Sequence, residues 1–322
     1  MSYPTLLPPH QSEMEKPPAA TGFKAWTAKK KALLITAILV FLIALGVGLG
    51  VGLGIGLHHG NDNEGEGGDE GEGNNTETWQ PAVGTSWQIV LRYALNDTSV
   101  DADVYDIDLF DNKKSTMDQL HSDGRKVICY FSAGTYEDWR SDADDFPDSD
   151  KGKPLDEWEG ESWVDITSSK IRAIMTARLD IAQEKGCDGV DPDNVDGYDN
   201  DNGLGLSEDD TVDYMEFLAR ESRKRGLSIG LKNAGAVIPR VIGDMQWSVN
   251  EQCAEYDECD TYAAFVKAGK PVFHIEYPKG DTTNNEVEVT GARKTNACDF
   301  EDSARFSTVI KNMDLDNWVQ EC

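Results

Sequence analysis

Positive charge is scarce in this 322-residue chain: Lys and Arg total 30 against 59 Asp and Glu, a net of −29. The imbalance grows past residue 79, where 25 bases face 50 acids. Such a surface repels phosphate backbones, which argues against nucleic acid as a partner and favours a cationic one. It also suits a secreted protein that must stay soluble. Histidine is rare as well, five in all. His274 lies inside an apolar run, where it reads as a packed residue, and no histidine sits in a Ser-His-Asp setting. No cysteine pair has zinc-site spacing with histidine, so no structural metal is expected. The segment after the first predicted strand, LRYALND (91–97), lacks the glycine-rich phosphate turn of a dinucleotide-binding sheet. The acid-rich run from Asp188 to Tyr198 also fails as a calcium loop. Counted from Asp191, Asp193 or Asp199, a required oxygen ligand falls on Val195, Val195 or Gly203. No cofactor is expected.

What the chain does have begins with one long apolar run. Ala32 to Leu57 is 26 residues without a charge, enough to span a bilayer. Lys29, Lys30 and Lys31 precede it and an acidic tract follows. The positive-inside rule therefore predicts a single-pass type II anchor in the cell membrane, with the C-terminal bulk extracellular. The expected organisation is a disordered cytosolic tail over 1–28, a transmembrane signal anchor over 29–58, a flexible acidic Gly-rich stalk over 59–78 and one domain over 79–322. The sequons at Asn74 and Asn96 are usable on the outer side. Six cysteines in an oxidising compartment can all pair. Cys253 with Cys259 makes a short loop and Cys298 with Cys322 ties down the C-terminus. Cys129 and Cys187 are left to each other or stay as buried thiols.

Within the domain, eight short runs read as strands: 87–91, 104–109, 126–131, 189–193, 227–232, 246–249, 271–277 and 306–310. Each is apolar on both parities, as strands covered on both faces are. Helical periodicity appears between several of them, at 169–185, 211–225 and 256–268. This alternation over roughly 240 residues predicts a (β/α)₈ TIM barrel. The insertion from Tyr136 to Thr167 carries Trp139, Trp158 and Trp163, which either wall a sugar cleft or pack in a small core of their own.

Barrel strands present their C-terminal ends to the active site. Those ends carry Asp106 and Asp108, Tyr130, Asp191, Asp193 and Asn194, Lys232 and Asn233, Glu251, then Glu276 and Tyr277. A cup of carboxylates suits glycoside hydrolysis, in which one acid protonates the leaving oxygen while another attacks or activates water. Asp193 and Glu251 lie two strands apart and can face each other.

Four runs carry a resemblance: CYFSAGTYEDWR (129–140), ARLDIAQEKGCDGVDPDNVDGYDN (177–200), IGLKNAG (229–235) and WSVNEQC (247–253). In that order they resemble glycoside hydrolase family 114, the endo-α-1,4-polygalactosaminidases, over about residues 87–318. The resemblance implies a TIM barrel that cleaves α-1,4-linked galactosamine polymers, including deacetylated galactosaminogalactan. It also implies a catalytic aspartate in GVDPDN and a catalytic glutamate in NEQC. The second is Glu251; for the first, Asp193 is preferred over Asp191 because it sits nearer the barrel mouth. Asp108, Asp191 and Glu276 are expected to pair with the sugar ammonium, Tyr130, Asn194 and Asn233 to line the substrate site, and Lys232 to orient a carboxylate. The alternatives are a surface-tethered polysaccharide-binding module without turnover and a barrel glycosidase acting on a neutral α-glycan.

Overall fold

A computed structural model describes residues 78–155 and 158–322. The tail, membrane span and stalk expected before residue 78 lie outside the described residues. Among the described residues no helix is long and apolar enough to cross a membrane.

Eight strands run parallel around a nearly closed barrel: β1 (Trp87–Val90), β2 (Val104–Asp108), β3 (Lys126–Ser132), β7 (Gly189–Asp193), β8 (Ser228–Lys232), β9 (Trp247–Glu251), β10 (Val272–Glu276) and β11 (Ser307–Lys311). All eight predicted strands form, in sequence order around the ring. A ninth, β12 (Val319–Glu321), pairs antiparallel with β11. The seam between β1 and β11 is held by side chains. Trp87 Nε1 donates to Ser307 O (2.8 Å), Ser307 Oγ to Thr85 O (2.7 Å) and Lys311 Nζ to Gln88 Oε1 (2.8 Å).

Helices cover the ring, and their starts follow local chemistry. The helix α1 (Lys114–Ser122) follows β2, and α2 (Ser169–Lys185) precedes β7. In α2 the Ser168 side chain accepts from Lys170 N, Gly186 ends the helix at φ 85°, and Ile171, Ile174, Met175, Leu179 and Ala182 form its buried stripe. The next helix, α3 (Glu208–Lys224), starts three residues before its predicted position because Ser207 and Asp210 close a capping box. Short helices α4 (Ile238–Val241) and α5 (Cys253–Tyr256), then α6 (Cys259–Lys267) and α7 (Gly291–Cys298), complete the set. The (β/α)₈ expectation needs correction at both ends. Among the described residues no helix joins β1 to β2, and β12 stands where the last helix was expected.

The insertion after β3 is not irregular. It folds into its own antiparallel sheet, β4 (Thr135–Glu137), β6 (Glu161–Val164) and β5 (Lys151–Pro154), in that order. Buried Arg178 of α2 anchors it, donating to Ser132 O (2.6 Å) and through two nitrogens to Asp142 (2.8 and 3.0 Å). The three tryptophans divide: Trp163 is buried at 6% exposure, whereas Trp139 and Trp158 stand at 53% and 57%.

The barrel interior is layered. Trp87, Trp247 and Phe273 form the floor, with Trp87 and Trp247 each in aromatic contact with Phe273. Trp79 closes it from below, 5.5 Å from Trp247. The Trp247 indole occupies the space in front of Gly189 and Gly230, where an added Cβ would lie 2.4 and 2.0 Å from its ring atoms. Glycine at these two positions is what lets an indole cross the barrel. All six cysteines pair: Cys129–Cys187, Cys253–Cys259 and Cys298–Cys322.

Candidate active site

Above the floor, three adjacent strands end in charge. Asp193 closes β7, Lys232 closes β8 and Glu251 closes β9. The residue after each is Asn194, Asn233 or Gln252, at φ 59°, 47° and 64°. A left-handed residue turns the chain sharply outward, so each charged side chain remains at the rim. Asn accepts this conformation more readily than most residues.

Lys232 lies between the two acids. Its Nζ is 3.2 Å from Asp193 Oδ2 and 3.3 Å from Glu251 Oε2, and its side chain is 1% exposed. Asp193 also accepts from Tyr130 OH (2.9 Å) and from Asn194 N (2.8 Å). Glu251 accepts from Tyr277 OH (2.5 Å) and Asn233 Nδ2 (3.2 Å), while its own N–H donates to Asn233 Oδ1 (3.0 Å). Burial alone would push Glu251 up. The Lys232 charge and the Tyr277 and Asn233 hydrogen bonds outweigh it and hold the carboxyl below its usual range. Lys232 responds in kind: burial disfavours its charge, but Asp193, Glu251 and Asp191 drive its pKa well up. Burial, then the charge of Asp193 or Glu251 respectively, keeps Tyr130 and Tyr277 as protonated donors.

Six of the nine sequence-predicted residues therefore meet at one rim: Tyr130, Asp193, Asn194, Lys232, Asn233 and Glu251. The Asn194 amide turns aside to Ser132 Oγ (2.9 Å). Three residues are placed otherwise. Asp108 is 1% exposed and accepts from Arg140 Nη2 (2.7 Å) and from Phe110 and Asp111 N (2.8 Å each), so it braces the insertion and offers no surface to a sugar. Glu276 has outward parity, opposite to inner-cluster Ile275; it accepts from Ala254 N (2.8 Å), with His274 Nε2 at 2.9 Å. Asp191 points inward but is fully buried beneath the rim.

Sequence reasoning left three residues without a role. Tyr277 was visible only as a strand end; its inward parity, set by Phe273 and Ile275, is the signal that identifies it. Asp196 lies near enough for the Asp193 charge, after burial, to push its pKa to about 6. Asp106 is fully buried against Asp191. Beside the mouth, a cleft of about 700 Å³ is lined by Glu255, Asp257, Asp260, Glu276, Asp299 and Glu301, with Arg293 as its base. Among the described residues, one cluster has the spacing to hold a metal, namely Cys253, Cys259 and His274. Its two sulfurs are joined to each other and so offer no thiolate.

Residues 68–322 match glycoside-hydrolase family GH114. The chain is similar to the crystal structure of Aspergillus fumigatus Ega3 in complex with galactosamine, at 66% identity and a TM-score of 0.75. The match covers 77% of this chain and 100% of that one. The glycoside hydrolase domain of PelA from Pseudomonas aeruginosa shares the fold at 15% identity and a TM-score of 0.56, over 73% of this chain and 98% of that domain. Comparison with curated protein sequences finds no match.

Proposed function

The chain belongs to glycoside hydrolase family GH114, and from that membership we propose that it is an endo-acting hydrolase of α-1,4-linked galactosamine polymers, with Asp193 and Glu251 as its working carboxylates. One observation carries the assignment of residues: two acids from β7 and β9 converge on the ammonium of Lys232. The galactosamine bound to a relative 66% identical supports the substrate class. So does the local charge, since deacetylated galactosamine carries an ammonium at carbon two and the cleft beside the mouth is lined with acids.

The chemistry follows from the geometry. One carboxyl protonates the glycosidic oxygen while the other meets the positive charge that develops at the anomeric carbon. Two oxygens bound to one Lys232 nitrogen lie no farther apart than those two contacts allow, 3.2 and 3.3 Å end to end. Such closeness favours the shorter of the two glycosidase spacings, about 5–5.5 Å, at which the second carboxylate attacks directly and configuration is retained. Lys232, Tyr130, Tyr277 and Asn233 hold the pair in place before substrate enters, so no reorganisation is needed as charge develops.

Purified protein incubated with deacetylated polymer is expected to release oligosaccharides whose first-formed ends are α. Fully acetylated polymer and a neutral α-glucan are expected to be poorer substrates. Binding of polymer with no product released overturns the reading in favour of a binding module.

We further propose that residues 32–57 anchor the enzyme with its barrel outside the cell. Support comes from the lysines at 29–31 and from the exposed sequon at Asn96. Glycan on Asn96 in protein made by a eukaryotic secretory host reports that orientation, and a permanently unmodified Asn96 on a membrane-bound chain contradicts it.

A further inference from the structure

Directly beneath the Lys232 ammonium lies a feature that hydrolysis itself does not require. Asp106, from the middle of β2, and Asp191, from the middle of β7, meet inside the barrel across β3, where Ile128 and Tyr130 hold the intervening register. Both aspartates are 0% exposed. None of their four carboxyl oxygens accepts a hydrogen bond from any donor among the described residues. Two ionised carboxylates facing each other in full burial, with no protein donor to either, are untenable, since each unpaired buried charge carries a large desolvation cost. One proton between them removes a charge and makes the hydrogen bond that both lack. The charged groups facing the pair are Lys232 from β8, Asp193 from the end of β7 and Glu251 from β9.

We propose that Asp106 is a positioning residue: it keeps its proton, donates it to Asp191, and so fixes the Asp191 carboxylate under Lys232, which in turn holds that ammonium between Asp193 and Glu251. Direction and cause agree. Burial, then the charge of Asp191, drives Asp106 well above an ordinary aspartate. Burial also raises Asp191, but Lys232 and the Asp106 hydrogen bond pull against it and leave it at about 7. Influence runs from Asp106 to Asp191 and, through charge, to Lys232, which alone of the three contacts the catalytic pair. Only that pair touches substrate. The inference rests on Asp193 and Glu251 being the working carboxylates.

Two substitutions and one spectrum test it. Asp106→Asn keeps the shape and supplies an amide N–H where the acid O–H was, so its kcat is expected within about threefold of wild type. Asp106→Leu strands the Asp191 carboxylate, and kcat is expected to fall about tenfold or more with KM little changed, because Lys232 is displaced and a small misplacement is costly. Infrared spectra of the wild type at about pH 8, where free aspartate is ionised, are expected to show the C=O stretch of a protonated carboxylic acid. That band is expected to vanish in Asp106→Asn. The spectrum needs no turnover and no folded Leu variant, so it decides the matter independently of the proposed reaction. An active wild type without the band overturns the inference, as does an Asp106→Asn enzyme as impaired as the Leu variant. A folded Leu variant with unchanged kcat overturns it too. An inactive wild type that shows the band would instead remove the hydrolase reading and leave the proton-sharing pair standing.

Discussion

Glu251 illustrates how three neutral or cationic partners set the state of one acid. Its side chain is a quarter exposed, yet Lys232, Tyr277 and Asn233 together overcome the cost of burial. Tyr277→Phe removes only the O–H donor. A hydrogen bond to a charged group contributes about 1.5–3 kcal/mol, so kcat is expected to fall roughly tenfold or more. The limb of the pH–rate profile that reports Glu251 is expected to move to higher pH, because loss of the donor weakens the ionised form. An unchanged profile in a pH-resolved assay would show that the tyrosine does not hold the acid. Lys232 was legible in the sequence as a lone base among acids. Its partners were only half legible, because Tyr277 and Asn233 act through parity and a left-handed turn that spacing alone does not reveal.

Elements that depend on local periodicity were the most legible. All eight barrel strands and the helix at 169–185 match their observed positions closely, because buried parallel strands are apolar on both faces and a helical stripe is read directly. Helices α1 and α7 went unseen: their sequences, KSTMDQLHS and GARKTNAC, bury only two residues and one residue respectively. The insertion hid its small sheet for a different reason. Its strands are three or four residues long, and its order comes from Arg178, Asp142, Arg140 and Asp108, which lie far apart in sequence. That long-range anchoring also explains why Asp108 braces structure rather than binding sugar. The division among the tryptophans gives a test. Trp163 packs against Gly197, its ring atoms within 3.3–3.4 Å of where a Cβ would stand there. Trp163→Ala is expected to cost about 3–5 kcal/mol in denaturant unfolding, whereas Trp139→Ala is expected within about 0.5 kcal/mol of wild type. Equal effects of the two would contradict the observed burial.

The whole molecule buries acids whose charged forms are disfavoured, and this makes stability depend on pH in a defined direction. Burial raises Glu161 from 4.5 to about 7, Asp191 from 3.8 to about 7 and Asp196 from 3.8 to about 6. Between the unfolded and folded values the native state binds more protons than the unfolded chain. Stability therefore falls as pH rises through that interval and levels off above it. Lys311, pushed down to about 7 by burial, acts in the opposite sense only above that value. Thermal melts are expected to show Tm declining from about pH 5 to about pH 7, with a shallower decline in Glu161→Gln. A rising Tm over this window would contradict the assignment. The disulfides act independently of pH: Cys129–Cys187 closes a separation of 58 residues. Replacing that pair by alanine is expected to lower unfolding free energy by up to about 4 kcal/mol, read by denaturant titration.

Catalysis by the pair at the barrel mouth is tested most directly by turnover of deacetylated α-1,4-galactosamine polymer by the wild type, Asp193→Asn and Glu251→Gln. Each substitution keeps the shape of its side chain and removes its charge. The expected result is release of oligosaccharides by the wild type and a loss on the order of 10⁴-fold in kcat for each variant, with Tm changed little. Turnover near the wild-type rate by either variant, in protein that melts normally, would contradict the assignment of these two carboxylates.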